Sequence, residues 1–147
     1  VYRTTSIDIR GHVAMCGQFG YELDLNKISD EEFEAVKEQI KFYKTISHIT
    51  HKGTMYRLLS PFEGNYAVWE FLSENEDEIV LMIASVIRRG GWLAQTRILL
   101  KGLDEDASYR VENTGEIYGG DFLMNVGFKR SPDSDFESEL LVIRKVK

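Results

Sequence analysis

The side chains here best suited to acid–base or nucleophilic work are two carboxylates on one short segment, Glu22 and Asp24. They alternate with Tyr21 and Leu23, so on a strand both would project from one face. Paired carboxylates cleave glycosidic bonds: one protonates the departing oxygen while the other attacks or activates water. If the segment lines a parallel barrel, its C-terminal end opens towards the active site. That makes Asp24 the more interesting of the two. The plainer alternative is that Asp24 bonds the backbone of the loop behind it.

Other chemistry is sparse. His48 and His51 could set two imidazoles on one helical face, but a zinc site needs one or two further ligands. No clear partner lies nearby in sequence, and solvated histidines at a helix end are the plainer reading; His12 stands apart. Gly119-Gly120 lacks the lysine and threonine of a phosphate cradle, and no Gly-x-Ser-x-Gly turn presents a nucleophilic serine. The single cysteine, Cys16, excludes an internal disulfide and a cysteine-rich zinc site. In Val13-Ala14-Met15-Cys16 it reads as a small buried hydrophobe. One free thiol fits a reducing, cytoplasmic setting. No metal and no cofactor is implied. Trp69, Trp92, Tyr66 and Tyr118 could stack on a sugar ring. Trp69 lies inside an apolar run and reads as core. Trp92 follows Gly90-Gly91, where it is either exposed or packed over the end of a sandwich. The run Glu74 to Glu78 reads as a solvated acidic turn.

The chain has 147 residues, 43% of them hydrophobic, and a net charge of −6. That balance argues against a nucleic-acid partner, which calls for a basic stripe, and against an anionic membrane surface. The apolar runs fall far short of the roughly 20 residues that span a bilayer. No charged-then-apolar leader opens the chain. It starts at Val1-Tyr2-Arg3 without an initiator Met, as a trimmed fragment would.

The elements that must position these residues differ between the two ends. Thr4 to Cys16 is ambiguous: Ser6 could cap a helix with Asp8 in its first turn, yet Ile7 and Ile9 also alternate as in a strand. Phe19 to Leu25 predicts a short strand. Ser29 and Glu32 form a capping box, with Ile28 and Phe33 as a hydrophobic staple. Phe33, Val36, Ile40 and Tyr43 make one apolar stripe on the helix that follows. It is expected to fray around His48 to His51 and to end at Gly53.

Beyond Gly53 the period changes to short strands: Thr54 to Leu59, Ala67 to Leu72, Glu78 to Ile87, Arg97 to Leu100, Tyr109 to Glu112, Ile117-Tyr118 and Phe136 to Val146. Glu78 to Ile87 is continuous enough to be a buried central strand. Leu141 and Ile143 share one side of the last. Gly120 to Met124 predicts one helical turn capped by Asp121. Many short strands with regular turns predict an antiparallel β-sandwich of Greek-key type. The boundary falls near Lys52 to Thr54, giving segments 1–52 and 53–147.

Five motifs then fall in one order. Arg10-Gly11-His12-Val13-Ala14-Met15 and Phe19-Gly20-Tyr21-Glu22-Leu23-Asp24-Leu25 resemble the end of the catalytic barrel in glycoside hydrolase family 36, the α-galactosidases. Tyr56-Arg57-Leu58-Leu59-Ser60-Pro61-Phe62 resembles the family's entry into its C-terminal β domain. Lys101-Gly102-Leu103-Asp104 and Tyr118-Gly119-Gly120-Asp121-Phe122-Leu123-Met124-Asn125 resemble two later markers. The likeness runs from about Arg3 to the last strand.

The resemblance implies a mainly β fragment: the last helix, strand and helix of a (β/α)8 barrel over 1–52, then the C-terminal sandwich over 53–147. Thr4 to Cys16 becomes the seventh barrel helix, Phe19 to Asp24 the eighth strand, and Ser29 to about Ser47 the eighth helix. The family's retaining double displacement uses two aspartates, and in retaining enzymes such carboxyls stand about 5–5.5 Å apart. Both are expected upstream of Val1, so no residue here is assigned a catalytic role. The implied substrates of the parent are terminal α-galactosides such as melibiose and raffinose.

The chain by itself is expected to be an inactive structural part of that hydrolase, partnered by the rest of the barrel and by further copies in a homo-oligomer. Self-association through the Phe33 stripe is expected of the chain in isolation. Two other readings stay open: a non-catalytic carbohydrate-binding sandwich using Trp92, or a purely structural interaction domain.

Overall fold

Two helices precede a series of short antiparallel strands. A computed structural model describes residues 5–22, 24–87, 97–130 and 134–146. Trp92 and Gly90-Gly91 lie outside the described residues.

The ambiguous first segment is helical. Helix α1 spans Ile7–Met15, and the Ser6 hydroxyl caps it by accepting from the Ile9 N–H at 3.3 Å. Helix α2 spans Asp30–Lys52. Its capping box is complete: the Glu32 N–H donates to Ser29 and the Ser29 N–H to the Glu32 carboxylate. The expected fraying at His48 to His51 does not occur. The helix runs on to Gly53, whose N–H donates to the Ile49 carbonyl at 2.8 Å. Buried Ile46, Ile49 and Thr50 hold that last stretch against the sheet, which packing rather than helix propensity explains. Gly53 then turns so tightly past the backbone of Leu72 that a Cβ there would sit 2.3 Å from the Leu72 carbonyl oxygen.

Between the helices, Phe19 to Glu22 and Asp24 carry no regular structure, where the sequence predicts a strand. A strand needs a neighbour for its N–H and C=O groups. None lies beside this segment among the described residues, and the Phe19 N–H turns to the Tyr43 hydroxyl at 3.4 Å instead. A 3-10 turn, Leu25–Lys27, leads into α2.

The strands are β1 (Thr54–Leu59), β2 (Tyr66–Leu72), β3 (Glu78–Ser85), β4 (Arg97–Ile98), β5 (Ser108–Val111), β6 (Ile117–Gly119), β7 (Phe128–Lys129) and β8 (Ser138–Lys145). Six form one antiparallel sheet in the order β1-β2-β3-β8-β5-β6, and β4 pairs with β7 as a separate ribbon. The last strand thus inserts at the centre, between β3 and β5. Strands covered on both faces read as continuous apolar runs, and every residue from Ile79 to Ser85 and from Leu140 to Ile143 is buried. Helix α3 (Gly120–Asn125) follows β6. Its cap is Gly119, without a side-chain bond, so Asp121 sits inside the first turn rather than at the cap position the sequence suggests.

The period of two sorts the sheet into two cores. Val68, Leu72, Leu81, Leu141, Ile143 and Tyr109 face the β4–β7 ribbon and α3, meeting Leu100, Leu123 and Phe128. Val80, Met82, Phe71, Leu140 and Val142 face the helices, meeting Met15, Ile46 and Ile49. The antiparallel sheet therefore carries the two helices, α1 and α2, as a cover over one face.

Candidate functional site

Asp24 is occupied with its own loop. Its carboxylate accepts from the Asn26 backbone N–H and side-chain amide, both at 3.1 Å, and pairs with Lys27 at 3.3 Å. The Asn26 N–H, then the Asn26 amide and Lys27, hold this carboxyl below the usual aspartate range. The carboxylate is solvated, and Glu22 beside it is exposed. The pair does not converge on an enclosed cleft.

The histidines go to three different places. His48 Nε2 meets Glu78 Oε2 at 2.9 Å, and Arg144 Nε donates to the other oxygen of Glu78 at 2.9 Å. His51 Nε2 meets the Tyr43 hydroxyl at 2.7 Å and the Gly17 carbonyl at 3.1 Å. His48 thus ties α2 to β3 and β8, while His51 ties it to the α1 exit. His12 Nδ1 meets the Ser138 hydroxyl at 2.8 Å under α1. Burial pushes that imidazole below its usual range, against the opposing pull of Asp8, Ser138 and Glu139. Among the described residues, no group of three or more His, Cys, Asp or Glu could hold a metal ion. Cys16 is half-buried, and burial pushes its thiol up to about 12.

Of the aromatics singled out for stacking, Trp69, Tyr66 and Tyr118 lie among the described residues and each is partly covered. Trp69 is half-buried against the helix-side core. Tyr118 stacks on Phe122, with ring centroids 5.6 Å apart and planes 10° apart, and on Phe128 behind it.

One concave feature of the helical segment is apolar. Phe19, Gly20 and Tyr21 form one wall of a groove of about 570 Å³, and Phe33, Val36, Ile40 and Tyr43 form the other. Phe33 and Ile40 are 37% and 38% exposed, whereas Val36 is 3% exposed. The stripe expected from sequence is therefore only partly covered within this chain. The face that packs on the sheet is a second one, Phe42, Ile46 and Ile49.

Beneath the groove a three-way joint sets its shape. The Tyr21 hydroxyl donates to Gln39 Oε1, and Gln39 Nε2 donates to the Ile7 carbonyl at 3.2 Å. Gly11 leaves the room: a Cβ there would lie 2.3 to 2.7 Å from the Gln39 amide atoms. One buried side chain thus joins both helices and the segment between them.

The sequence reading passes over a further unusual group, Glu70. It is 0% exposed, with one oxygen accepting from the Lys101 N–H at 2.9 Å and the other without a hydrogen-bond partner. Burial pushes its carboxyl up to about 8, against the Lys101 N–H and charge. The signal lay in the alternation: Glu70 shares its parity with Val68 and Leu72, both core residues on β2.

Comparison with known proteins agrees with this geometry. Residues 66–143 match the model of the glycosyl hydrolase family 36 C-terminal domain, and residues 1–53 match the melibiase model. The α-galactosidase AgaA of Geobacillus stearothermophilus is 44% identical over 127 residues, covering 86% of this chain and 17% of that protein. The α-galactosidase Mel36A of Lactobacillus acidophilus is 41% identical over 126 residues, again 86% and 17%. A crystal structure of AgaA with 1-deoxygalactonojirimycin superposes on 99% of this chain and 20% of its own, at 41% identity and a TM-score of 0.92. AgaA with raffinose gives 0.90 over 98% of this chain. This chain thus spans about a fifth of the length of the relatives it matches. The family-model match, covering more than half of the residues, the inserted central strand and the helical cover together identify the chain as a member of glycoside hydrolase family 36, carrying that family's C-terminal domain.

Proposed function

We propose that this chain is the C-terminal portion of a retaining α-galactosidase acting on terminal α-galactosides of the raffinose and melibiose type. Residues 1–52 complete the catalytic barrel and residues 53–147 buttress it. The two catalytic aspartates stand on barrel strands outside this chain, and the chain alone is catalytically silent. Its sugar specificity, cytoplasmic setting and homo-oligomeric assembly belong to the same reading.

The observation that carries it is the groove along Phe33 and Ile40. A capped amphipathic helix that buries Ile46 and Ile49 on one side still leaves a second apolar stripe in the open. Beside that stripe run Phe19, Gly20 and Tyr21, part of a strand-forming sequence that has no ladder partner among the described residues. Barrel strands would supply what both lack: a neighbour for the backbone of 19–24 and an apolar floor for Phe33 and Ile40. The superposition of 99% of this chain on one fifth of AgaA supports the same placement.

Three measurements test it. The chain alone hydrolyses no p-nitrophenyl α-galactoside. A chimera joining it to the first four fifths of AgaA, in place of that enzyme's own tail, does hydrolyse it. Ile40→Glu in the chimera lowers activity by at least tenfold by placing a charge against apolar barrel surface. Turnover by the lone chain, or a folded chimera indifferent to Ile40→Glu, refutes the proposal.

A further inference from the structure

Lys101-Gly102-Leu103-Asp104 belongs to a strap, residues 99–107, that joins β4 to β5 across the ribbon side of the sheet. Several bonds hold it down. The Leu100 N–H donates to the Leu123 carbonyl at 3.0 Å, and the Gly120 N–H to the Ala107 carbonyl at 2.8 Å. The Asp104 N–H donates to the Tyr109 hydroxyl at 3.0 Å, and Lys145 donates to the Asp104 carboxylate at 2.8 Å. The Asp121 N–H also donates to the Glu105 carbonyl at 3.3 Å, and the Glu70 carboxyl lies beneath the Lys101 N–H.

That anchor differs from the others in kind. It is fully buried, and one of its oxygens has no partner. The strap closes over it: Gly102, at φ 72°, comes so near that a Cβ would meet Leu72 at 2.9 Å and the Tyr56 hydroxyl at 3.0 Å. The ionisable side chains disposed around Glu70 are Tyr56, its register partner on β1, and Lys101 on the strap; its β3 partner is Leu81. Lys101 is exposed, and its charge, like its N–H, favours the ionised carboxyl but is outweighed by burial. One N–H cannot offset the desolvation of a carboxylate. A neutral Glu70 fits this site. An ionised one must reach water, and the strap is in the way.

We propose that Glu70 and the strap at 99–103 form a proton-controlled clasp, closed while the carboxyl is protonated and released when it ionises. Release frees the Lys101 N–H, lets water in past Gly102 and leaves the sheet paired, because β2, β3 and β8 hold one another through their own ladders. The elevated carboxyl places the transition in the mildly alkaline range. The clasp is a property of this domain and stands independently of the barrel reading.

The test is amide hydrogen exchange on the whole chain between pH 6 and pH 9, with rates divided by the intrinsic chemical rate at each pH. Protection at residues 100–103 falls by about tenfold per pH unit below the closed-state value of about 8, where only the opened carboxyl is ionised, and levels off above it. Leu81 and Leu141, at the sheet centre, keep their protection. Glu70→Gln flattens the pH dependence of the strap. A second reading needs no variant: the Glu70 carboxyl carbon, followed by NMR, titrates above pH 7 in step with the Lys101 amide. The clasp is refuted by a carboxyl that titrates near 4.5, by strap protection unchanged across the range, by strap and sheet losing protection together, or by the same loss in Glu70→Gln.

Discussion

Adding a methyl group at Gly11 should destabilise this chain, and removing a second side chain should turn the same change into a gain. Alanine is preferred to glycine inside a helix by about 1 kcal/mol, so Gly11→Ala in α1 would ordinarily stabilise. Here the new Cβ would lie 2.3 Å from Gln39 Oε1 and 2.7 Å from Nε2. The amide must move, and it is not free to do so. Gln39 is 8% exposed and holds the Tyr21 hydroxyl on one side and the Ile7 carbonyl on the other. Each lost bond is worth about 1 kcal/mol, and a buried amide left unpaired adds about 1–3 kcal/mol. Against the helix gain, Gly11→Ala should be destabilising by about 1–3 kcal/mol. In a Gln39→Ala background the obstruction is gone, and Gly11→Ala should stabilise by up to about 1 kcal/mol. Urea unfolding of the four chains in a double-mutant cycle measures this directly. A coupling energy of at least about 2 kcal/mol is expected. Additivity within about 0.5 kcal/mol, the result for independent sites, would refute the claim that one amide joins α1, Tyr21 and α2.

Three further outcomes follow from the same packing. Ile49→Ala, at a fully buried position between α2 and the sheet, should cost about 2–5 kcal/mol in urea unfolding, while Ile40→Ala on the open groove should cost under about 1 kcal/mol in this chain; equal costs would mean the helix is not docked by the face described. Glu78 is held below the usual glutamate range first by the His48 side chain and then by Arg144. A carboxyl lowered on folding adds stability above its unfolded value of 4.5, and that stability is lost as pH falls through the folded value. Glu78→Gln should therefore lower the urea midpoint at pH 7, by on the order of 1 kcal/mol for a partly exposed pair, and the gap from the parent chain should close as pH falls towards 3; a gap that persists there would refute the pairing. Cys16, with its thiol pushed up to about 12, should react with iodoacetamide at pH 8 on the order of a thousandfold more slowly than a free thiol, because only the thiolate attacks. Mass spectrometry showing fast labelling of the folded chain would contradict its burial.

What the sequence made legible depends on where each element finds its partner. The β domain could be read almost strand by strand, because β2, β3 and β8 pair within the chain and their period of two is enforced by a core on each face. The short ribbon strand β7 gave no such pattern: Phe128–Lys129 is a strand only because Arg97–Ile98 lies beside it. The helical segment was harder for the opposite reason. A periodic stripe says that a surface is wanted, not which surface. On α2 the visible stripe, Phe33 to Tyr43, is the one left partly open, while Phe42, Ile46 and Ile49 take the sheet, the last of them inside the stretch expected to fray. Phe19 to Asp24 has a strand's composition and no ladder partner among the described residues, so local propensity alone could not make it a strand. Glu70 was legible by parity, since a carboxylate at a core-facing position between Val68 and Leu72 contradicts its surroundings. Such local contradictions gather where a protein positions something other than its own stability. By that logic the misfits in 1–52 and the misfit at Glu70 differ in origin: the first ask for a neighbouring surface, the second for a proton.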